Sequence, residues 1–337
     1  MAWHKHCTFQ QEVQRIAFGE KFMKILIAYD GSNCAEAALD DLVRAGLPEA
    51  GEVAVMSVAE VWLAPENLRL QWEAENPDSD YLREINRKHD KKSKEAIAEF
   101  ETLANHAATR LRQMFPGWTV TAEAASGSPA WEVLTKAADY KPDLIVAGSQ
   151  GRSAVGRLFL GSISQKILTE AHCSVRVARG RIEVDAAPVR IVIGLDGSTG
   201  AQAAVEAVAS RDWPEKSEIR LIAVGDPITP SLIARFVPPI ADLIEEVNED
   251  EREWLHKLAE PALQKLTDAG LIAAFSIEVG NPKQVLVEEA ANWHADSIFV
   301  GANRFGSRIE SFLLGSVSAA VAARAHCTVE VVRKKPA

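Results

Sequence analysis

Cysteine is scarce in this chain: Cys7, Cys34, Cys173 and Cys327 are scattered over 337 residues without a CxxC pair. That excludes a secreted disulfide framework and a zinc ribbon, and it suits a reducing compartment. No run of about 18 uncharged apolar residues occurs, so no membrane-spanning helix is expected. The first 22 residues hold neither a continuous apolar core nor a cleavage pattern, so no secretory signal is expected either. A basic surplus is also missing. Lys and Arg number 37 against 47 Asp and Glu, a net charge of -10, which argues against nucleic-acid or anionic-membrane partners and leaves room for a local anion site. What is present, 47% hydrophobic and 25% charged residues, predicts a globular, cytoplasmic chain with enough length for two domains of about 150 residues.

Those two domains are legible as an internal repeat. KILIAYDGSNCAEAALDDL from Lys24 matches RIVIGLDGSTGAQAAVEAV from Arg190, so Asp30 corresponds to Asp196 at a spacing of 166. Gly127-Ser128-Pro129 matches Gly280-Asn281-Pro282, and the strand from Asp143 to Gly148 matches that from Asp296 to Gly301, both at 153. Gly161-Ser162 matches Gly315-Ser316, and His172-Cys173 matches His326-Cys327, at 154. The first copy carries its extra length around Pro65 to Tyr81, a polar, acidic stretch that reads as a surface loop or helix extension. Residues 1–22 read as an arm or as sequence upstream of a start at Met23, 23–180 as the first unit, 181–188 as a linker and 189–334 as the second unit.

Within the first copy, short apolar runs predict strands near 24–29, 52–58, 118–124, 143–147 and 174–178. Helical stripes fill the gaps, the longest carrying Ile97, Phe100, Ala104, Ala107, Leu111 and Met114 and stopping at Pro116-Gly117. Alternating strands and helices imply α/β units, each with a parallel sheet covered on both faces. The charged runs Arg87 to Lys94 and Glu245 to Glu253 read as solvated helix faces, and Trp62, Trp72 and Trp131 as packing residues.

The chemistry concentrates after the fourth strand, in GSQGRSAVGRLFLGSIS, where Gly148, Gly151 and Gly161-Ser162 are spaced G-x2-G-x9-G-S. A glycine turn lets backbone N–H groups approach an anion, and the second Gly-Ser opens a helix whose free N–H groups and dipole favour phosphate. The hydroxyls of Ser162 and Ser164 and the charge of Arg152 and Arg157 add donors. Asp30 ends the first strand. If that strand neighbours the fourth where sheet order reverses, both line the ligand crevice of an open α/β sheet. Asp30 then accepts from a ribose hydroxyl or an adenine amino group, or caps the helix that follows.

These residues together resemble a tandem universal stress protein. G-x2-G-x9-G-[ST] is that family's ATP-binding signature, and AYDGS, GSP and DLIVAGS fit its pattern over residues 23 to 334. The resemblance implies two Rossmann-like (adenine nucleotide alpha hydrolase-like) domains, each a five-stranded parallel sheet of order 3-2-1-4-5, pairing through their last strands as an internal pseudo-dimer. It implies ATP, or ADP or AMP, with Mg2+. Ala28 and Tyr29 would flank the nucleotide, and Asp30 and Val58 would touch base and ribose. Ala147, Gly148, Gly151, Gly161, Ser162, Ile163 and Ser164 would form the phosphate side. The second copy departs from the pattern: Gly301, Gly306 and Gly315-Ser316 are spaced G-x4-G-x8-G-S, and Arg304 stands near the early glycine position. Its corresponding set is Leu195, Asp196, Val224, Val300, Gly301, Gly306, Gly315, Ser316, Val317 and Ser318.

No Walker A motif and no pyrophosphatase loop of the SGGxDS type occur, and no general base is evident, so hydrolysis is expected to be slow or absent. The expected role is a nucleotide-responsive stress regulator, with a homodimer and a protein partner open. Two alternatives stand beside it: an interaction scaffold without nucleotide, and a thiol or metal sensor using the His-Cys pairs. If the last strands meet antiparallel, those pairs lie towards opposite ends, which leaves buried, unreactive thiols as the favoured reading.

Overall fold

The computed structural model describes residues 21–61, 80–150, 160–179, 187–225, 227, 238–302 and 314–334. In the first half, β1 (Phe22–Ala28) leads into α1 (Asn33–Asp41) and a short 3-10 turn, then β2 (Ala50–Ala59) and the long α2 (Asp80–Met114). β3 (Trp118–Ser126), α3 (Pro129–Tyr140), β4 (Leu144–Gly148), α4 (Ser162–Glu170) and β5 (Ser174–Ala178) complete it. The second half repeats the order: β6 (Arg190–Gly194), α5 (Thr199–Ala209), β7 (Glu218–Gly225), α6 (Pro238–Asp268), β8 (Ile272–Val279), α7 (Pro282–Asn292), β9 (Ser297–Gly301), α8 (Ser316–Arg324) and β10 (Thr328–Val332).

The ten strands form one sheet in the order β3-β2-β1-β4-β5-β10-β9-β6-β7-β8. Each half is therefore a parallel sheet of order 3-2-1-4-5, and the halves meet through β5 and β10, which run antiparallel. The direction of the chain reverses its lateral course between β1 and β4, and again between β6 and β9, so each half has one switch point.

Side-chain alternation along the strands sorts the apolar residues onto two faces. One face carries two separate cores. In the first half, Ile25, Ile27, Val53 and Val55 pack under α1 and α2. In the second, Ile191, Ile193, Leu221 and Phe299 pack under α5 and α6. The other face is a single core shared by both halves, in which Val175, Val177, Val329 and Val331 join residues of α3, α4, α7 and α8. The predicted stripe of α2 meets the sheet through Ala104, Ala107 and Leu111, all fully buried. Small residues there let a 35-residue helix lie close to β2 and β3. The second half also docks on the turn after α1: the Asp212 N–H donates to the Gly46 carbonyl at 2.9 Å, and Arg44 pairs with Asp296 at 2.9 Å.

Among the described residues no helix is long and apolar enough to cross a membrane. Residues 62–79, which hold Trp62, Trp72 and nearly all of the extra length of the first copy, lie outside the described residues. Trp131 is 57% exposed rather than packed: it sits on the outer side of α3, with the Lys166 ammonium 4.8 Å from its ring centre.

Candidate functional site

At the first switch point the C-terminal ends of β1, β2 and β4 open into a cleft of about 420 Å³. Its walls include Ala28, Tyr29, Asp30, Val58, Ala147, Gly148, Ile163 and Ser164, eight of the residues that the family resemblance implies. Gly161 and Ser162 stand beside it as the N-cap and first residue of α4. Gly151 and Arg152, like Arg157, lie outside the described residues. Met56, Glu60, Ala96, Phe100, Pro129 and Gln150 complete much of the lining. The sequence offered little signal for Ala96 and Phe100, because α2 reaches the cleft from far along the chain, and Phe100 reads as part of its core stripe.

Asp30 is held by a local turn. Its Oδ1 accepts the Ser32 N–H at 3.0 Å, and the Ser32 Oγ in turn accepts the Ala35 N–H at 3.1 Å. Ser32, in extended conformation, is thus the N-cap of α1, and Asp30 acts one step earlier, as an Asx turn that fixes the approach to the helix. The second half repeats this: Asp196 accepts from the Ser198 N–H at 3.0 Å, and Ser198 caps Ala201 at 3.0 Å. The expectation that Asp30 itself caps the helix is corrected to this arrangement.

Tyr29 lines the cleft but is only 3% exposed, and it belongs to the core beneath α1 and α2. Its hydroxyl donates to Glu36, which also pairs with Arg110, and Arg110 reaches Asp40. Burial first, and the Glu36 carboxylate second, push the Tyr29 phenol above its ordinary value of 10. The group is a fixed donor that ties β1, α1 and α2 together under the site.

Gly148 lines the cleft and also has a packing reason of its own. A Cβ there would lie 2.7 Å from the carbonyl carbon and oxygen of Cys34 and 2.9 Å from the Ala35 nitrogen. Only glycine lets β4 approach the first turn of α1 this closely. Gly301 meets Gly200 and Ala201 of α5 in the same manner, at 2.2 and 2.6 Å.

The N-terminus of α4 faces the other side of the cleft. Gly161, at φ -63° and ψ 151°, brings no capping side chain, so the N–H groups of Ser162, Ile163 and Ser164 have no partner within the helix. The first turn contains no acidic residue. The Gly161 N–H donates to the Ser149 carbonyl at 2.8 Å, which ties the start of α4 to the end of β4. The Ser164 hydroxyl, expected to bind phosphate, instead donates to the Gly148 carbonyl at 2.6 Å and fastens α4 to β4. Its single hydrogen is committed there, so the backbone N–H is what Ser164 can offer an anion.

In the second half Leu195 and Asp196 follow β6, Val224 lies near the end of β7, and Val300 and Gly301 end β9. Gly315 caps α8 without a side chain, and Ser316, Val317 and Ser318 form its first turn. The Ser318 hydroxyl donates to the Gly301 carbonyl, as Ser164 does to Gly148. Gly306 and Arg304 lie outside the described residues.

The His-Cys pairs follow each half's last helix, at the starts of β5 and β10, which the antiparallel pairing sets at opposite ends of the central strand pair. Burial pushes the Cys173 thiol up to about 11 and the Cys327 thiol up to about 12. Both side chains are partly buried, and the raised values leave even less thiolate at neutral pH than an ordinary cysteine holds, which makes them weak nucleophiles.

Fold and site define a class: a duplicated open α/β protein with a ligand crevice at its switch point. The model of the universal stress protein family matches residues 21–179 and 189–333. The chain belongs to the universal stress protein family and carries two of its units in tandem. It is 30% identical over 224 residues to a universal stress protein of Mycolicibacterium smegmatis, spanning 65% of this chain and 70% of that one. It is 29% identical over 160 residues to universal stress protein YxiE of Bacillus subtilis, spanning 47% of this chain and 99% of the relative. Among solved structures, a universal stress protein from Archaeoglobus fulgidus shares the fold with a TM-score of 0.59 at 21% identity, over 93% of this chain and 98% of that one.

Proposed function

We propose that this chain binds an adenine nucleotide, ATP or its ADP and AMP relatives, in the first-half cleft and acts as a nucleotide-responsive regulator in the cytoplasm under stress. The units are taken as residues 23–180 and 189–334, joined by 181–188. The observation that carries the reading is the cleft of about 420 Å³ between the Asp30 turn and the uncapped α4 N-terminus, a size suited to a small ligand. The apolar walls, Met56, Val58, Phe100 and Val133 among them, suit a planar base.

Charge gives the ligand a direction. Asp30 and Glu60 stand at the β1–β2 side, where they can accept from ribose hydroxyls and repel phosphate. The α4 N-terminus offers donors and positive dipole at the β4 side, where phosphates are favoured. Mg2+ fits the same donor chemistry, since carboxylate and phosphate oxygens are its preferred ligands; when bound, it would supply neutralising charge to the phosphates. Asp30 is engaged in its turn rather than aimed as a base, which supports slow or absent hydrolysis. The nucleotide then works as a conformational ligand. The second site, with its altered glycine spacing, is proposed as weaker or altered in specificity.

Isothermal titration of the full chain with ATP and magnesium tests this, alongside Gly161→Val, which adds a branched side chain at the head of α4. Saturable binding lost in the variant, with circular dichroism unchanged, is the expected result, and the stoichiometry counts the working sites. Absence of both heat and thermal stabilisation by excess ATP would leave the scaffold reading in its place.

A further inference from the structure

The central strand pair has a register that bears on partner choice. Val329 lies opposite Val177, Glu330 opposite Arg176 and Val331 opposite Val175. By the 154-residue spacing of the last landmarks, Val175, Arg176 and Val177 correspond to Val329, Glu330 and Val331. The pseudo-twofold therefore runs through the Arg176–Glu330 pair, the one place where a position faces its own counterpart. At a true twofold such a residue would meet itself. Here it meets the opposite charge.

Both groups are closed to bulk solvent: Arg176 is 1% exposed and Glu330 is fully buried. Arg176 donates to Glu330 at 3.1 Å and to Asp41 at 3.0 Å, while Arg211 donates to Glu330 at 2.9 Å. Thr328 of β10 also donates to Asp41, at 2.8 Å. The charges alternate across the junction as Asp41, Arg176, Glu330, Arg211. The first two belong to the first half and the last two to the second. The symmetry is absent from the flanks as well, since the 166-residue spacing pairs Asp41 with Ala207 and Arg211 with Ala45.

We infer that the last-strand edge of each half is an interaction surface fitted to the other half and set against a copy of itself. Pairing like with like would keep each half's flanking partner, Asp41 or Arg211, but would press Arg176 onto Arg176 or Glu330 onto Glu330 at a site closed to bulk solvent. The valines on either side of the pair are the same in both halves and fit every combination equally. The buried charge pair is therefore what selects, and the partner of the Arg176 edge is a strand with a carboxylate at the dyad position. In the intact chain that partner is its own second half.

The test begins from the full chain, folded intact, with a protease recognition sequence placed between residues 180 and 186 and then cut. Cut protein is loosened in dilute urea, returned to buffer, and its half-to-half pairs are weighed by native mass spectrometry. The expected result is unlike pairs only. Random re-pairing, with like pairs making up half of the particles, would overturn the inference. In the cut Arg176→Leu, Glu330→Leu double variant, like pairs should appear and rise towards half of the particles; their continued absence would also overturn it. A second measurement covers halves that fail to re-pair. Uncut Glu330→Arg places arginine on both sides of the dyad, and its radius of gyration by small-angle scattering should rise while Glu330→Leu stays compact. A Glu330→Arg chain as compact as wild type would refute the proposal.

Discussion

Replacing Gly148 by alanine tests whether the first glycine of the signature serves packing. The added Cβ would stand 2.7 Å from two backbone atoms of Cys34, where ordinary contact begins at 3.4 Å. The neighbours are backbone, so no side-chain rotation relieves the clash, and the first turn of α1 must withdraw by roughly 0.7 Å in a close-packed interior. That turn is held by the Ser32 cap, by Glu36 through Arg110 and, at the far end of the helix, by Asp41 in the buried ion network. Overpacking of this kind costs about 1–3 kcal/mol. At about 2–4 °C per kcal/mol for a unit of this size, Tm should fall by roughly 2–12 °C. Gly161→Ser is the contrast: φ -63° is open to any residue, and serine is a favoured N-cap, so Tm should hold. Thermal unfolding of the full chain by circular dichroism, with ATP titration of both variants, reads the difference. A Gly148→Ala chain that melts within about a degree of wild type would refute the packing account. Gly301→Ala, with its Cβ 2.2 Å from the Gly200 carbonyl carbon, should lose more.

Glu330→Gln should destabilise the chain by about 3–5 kcal/mol in urea titration, because two buried guanidiniums lose their shared carboxylate. Burial alone would raise the Glu330 pKa, but Arg211 and Arg176 outweigh it and hold it below the ordinary 4.5. Its stabilisation is thus complete above the unfolded value and drains away as pH falls through the lower folded value, and the acid limb of a stability–pH curve should be shallower in the Gln variant. Cys173 and Cys327 shift the other way: the folded state keeps protons that unfolded thiols release above about 9. Stability should therefore fall as pH rises from there towards 11–12, and a thiol reagent at pH 8 should gain two reactive groups when the chain is unfolded. Arg333, 6% exposed, reaches from the second half to the Leu168 carbonyl in the last turn of α4 and the Cys173 carbonyl just before β5, at 2.5 and 3.3 Å. Arg333→Ala should cost about 1.5–3 kcal/mol in the same titration, with partial rescue by lysine.

What sequence could and could not disclose follows from how far each feature reaches. The repeat, the strand positions and the Asp30 and Gly161 ends of the cleft are local patterns, and the structure keeps them nearly in register. Glycine at 148 was visible too, but its cause was not: the clash is with Cys34, 114 residues away, and nothing local to GSQG reports how near α1 lies. Ser164 read as a phosphate donor for the same reason, since the carbonyl that takes its hydrogen belongs to another element. Arg176 is the sharpest instance. In the strand SVRVA alternation sets Arg176 on the face opposite the valines, and that side is closed by α1 and by Glu330 from the neighbouring strand. Alternation along the strand accounts for Arg176 pointing away from the valines. It could not report that a second half, 154 residues later, supplies the opposite charge at the same position, because that depends on the direction and register of the β5–β10 pairing. Pairing two copies of one fold about a dyad thus turns a single non-identical position into a choice of partner, and only the assembled sheet reveals which position that is.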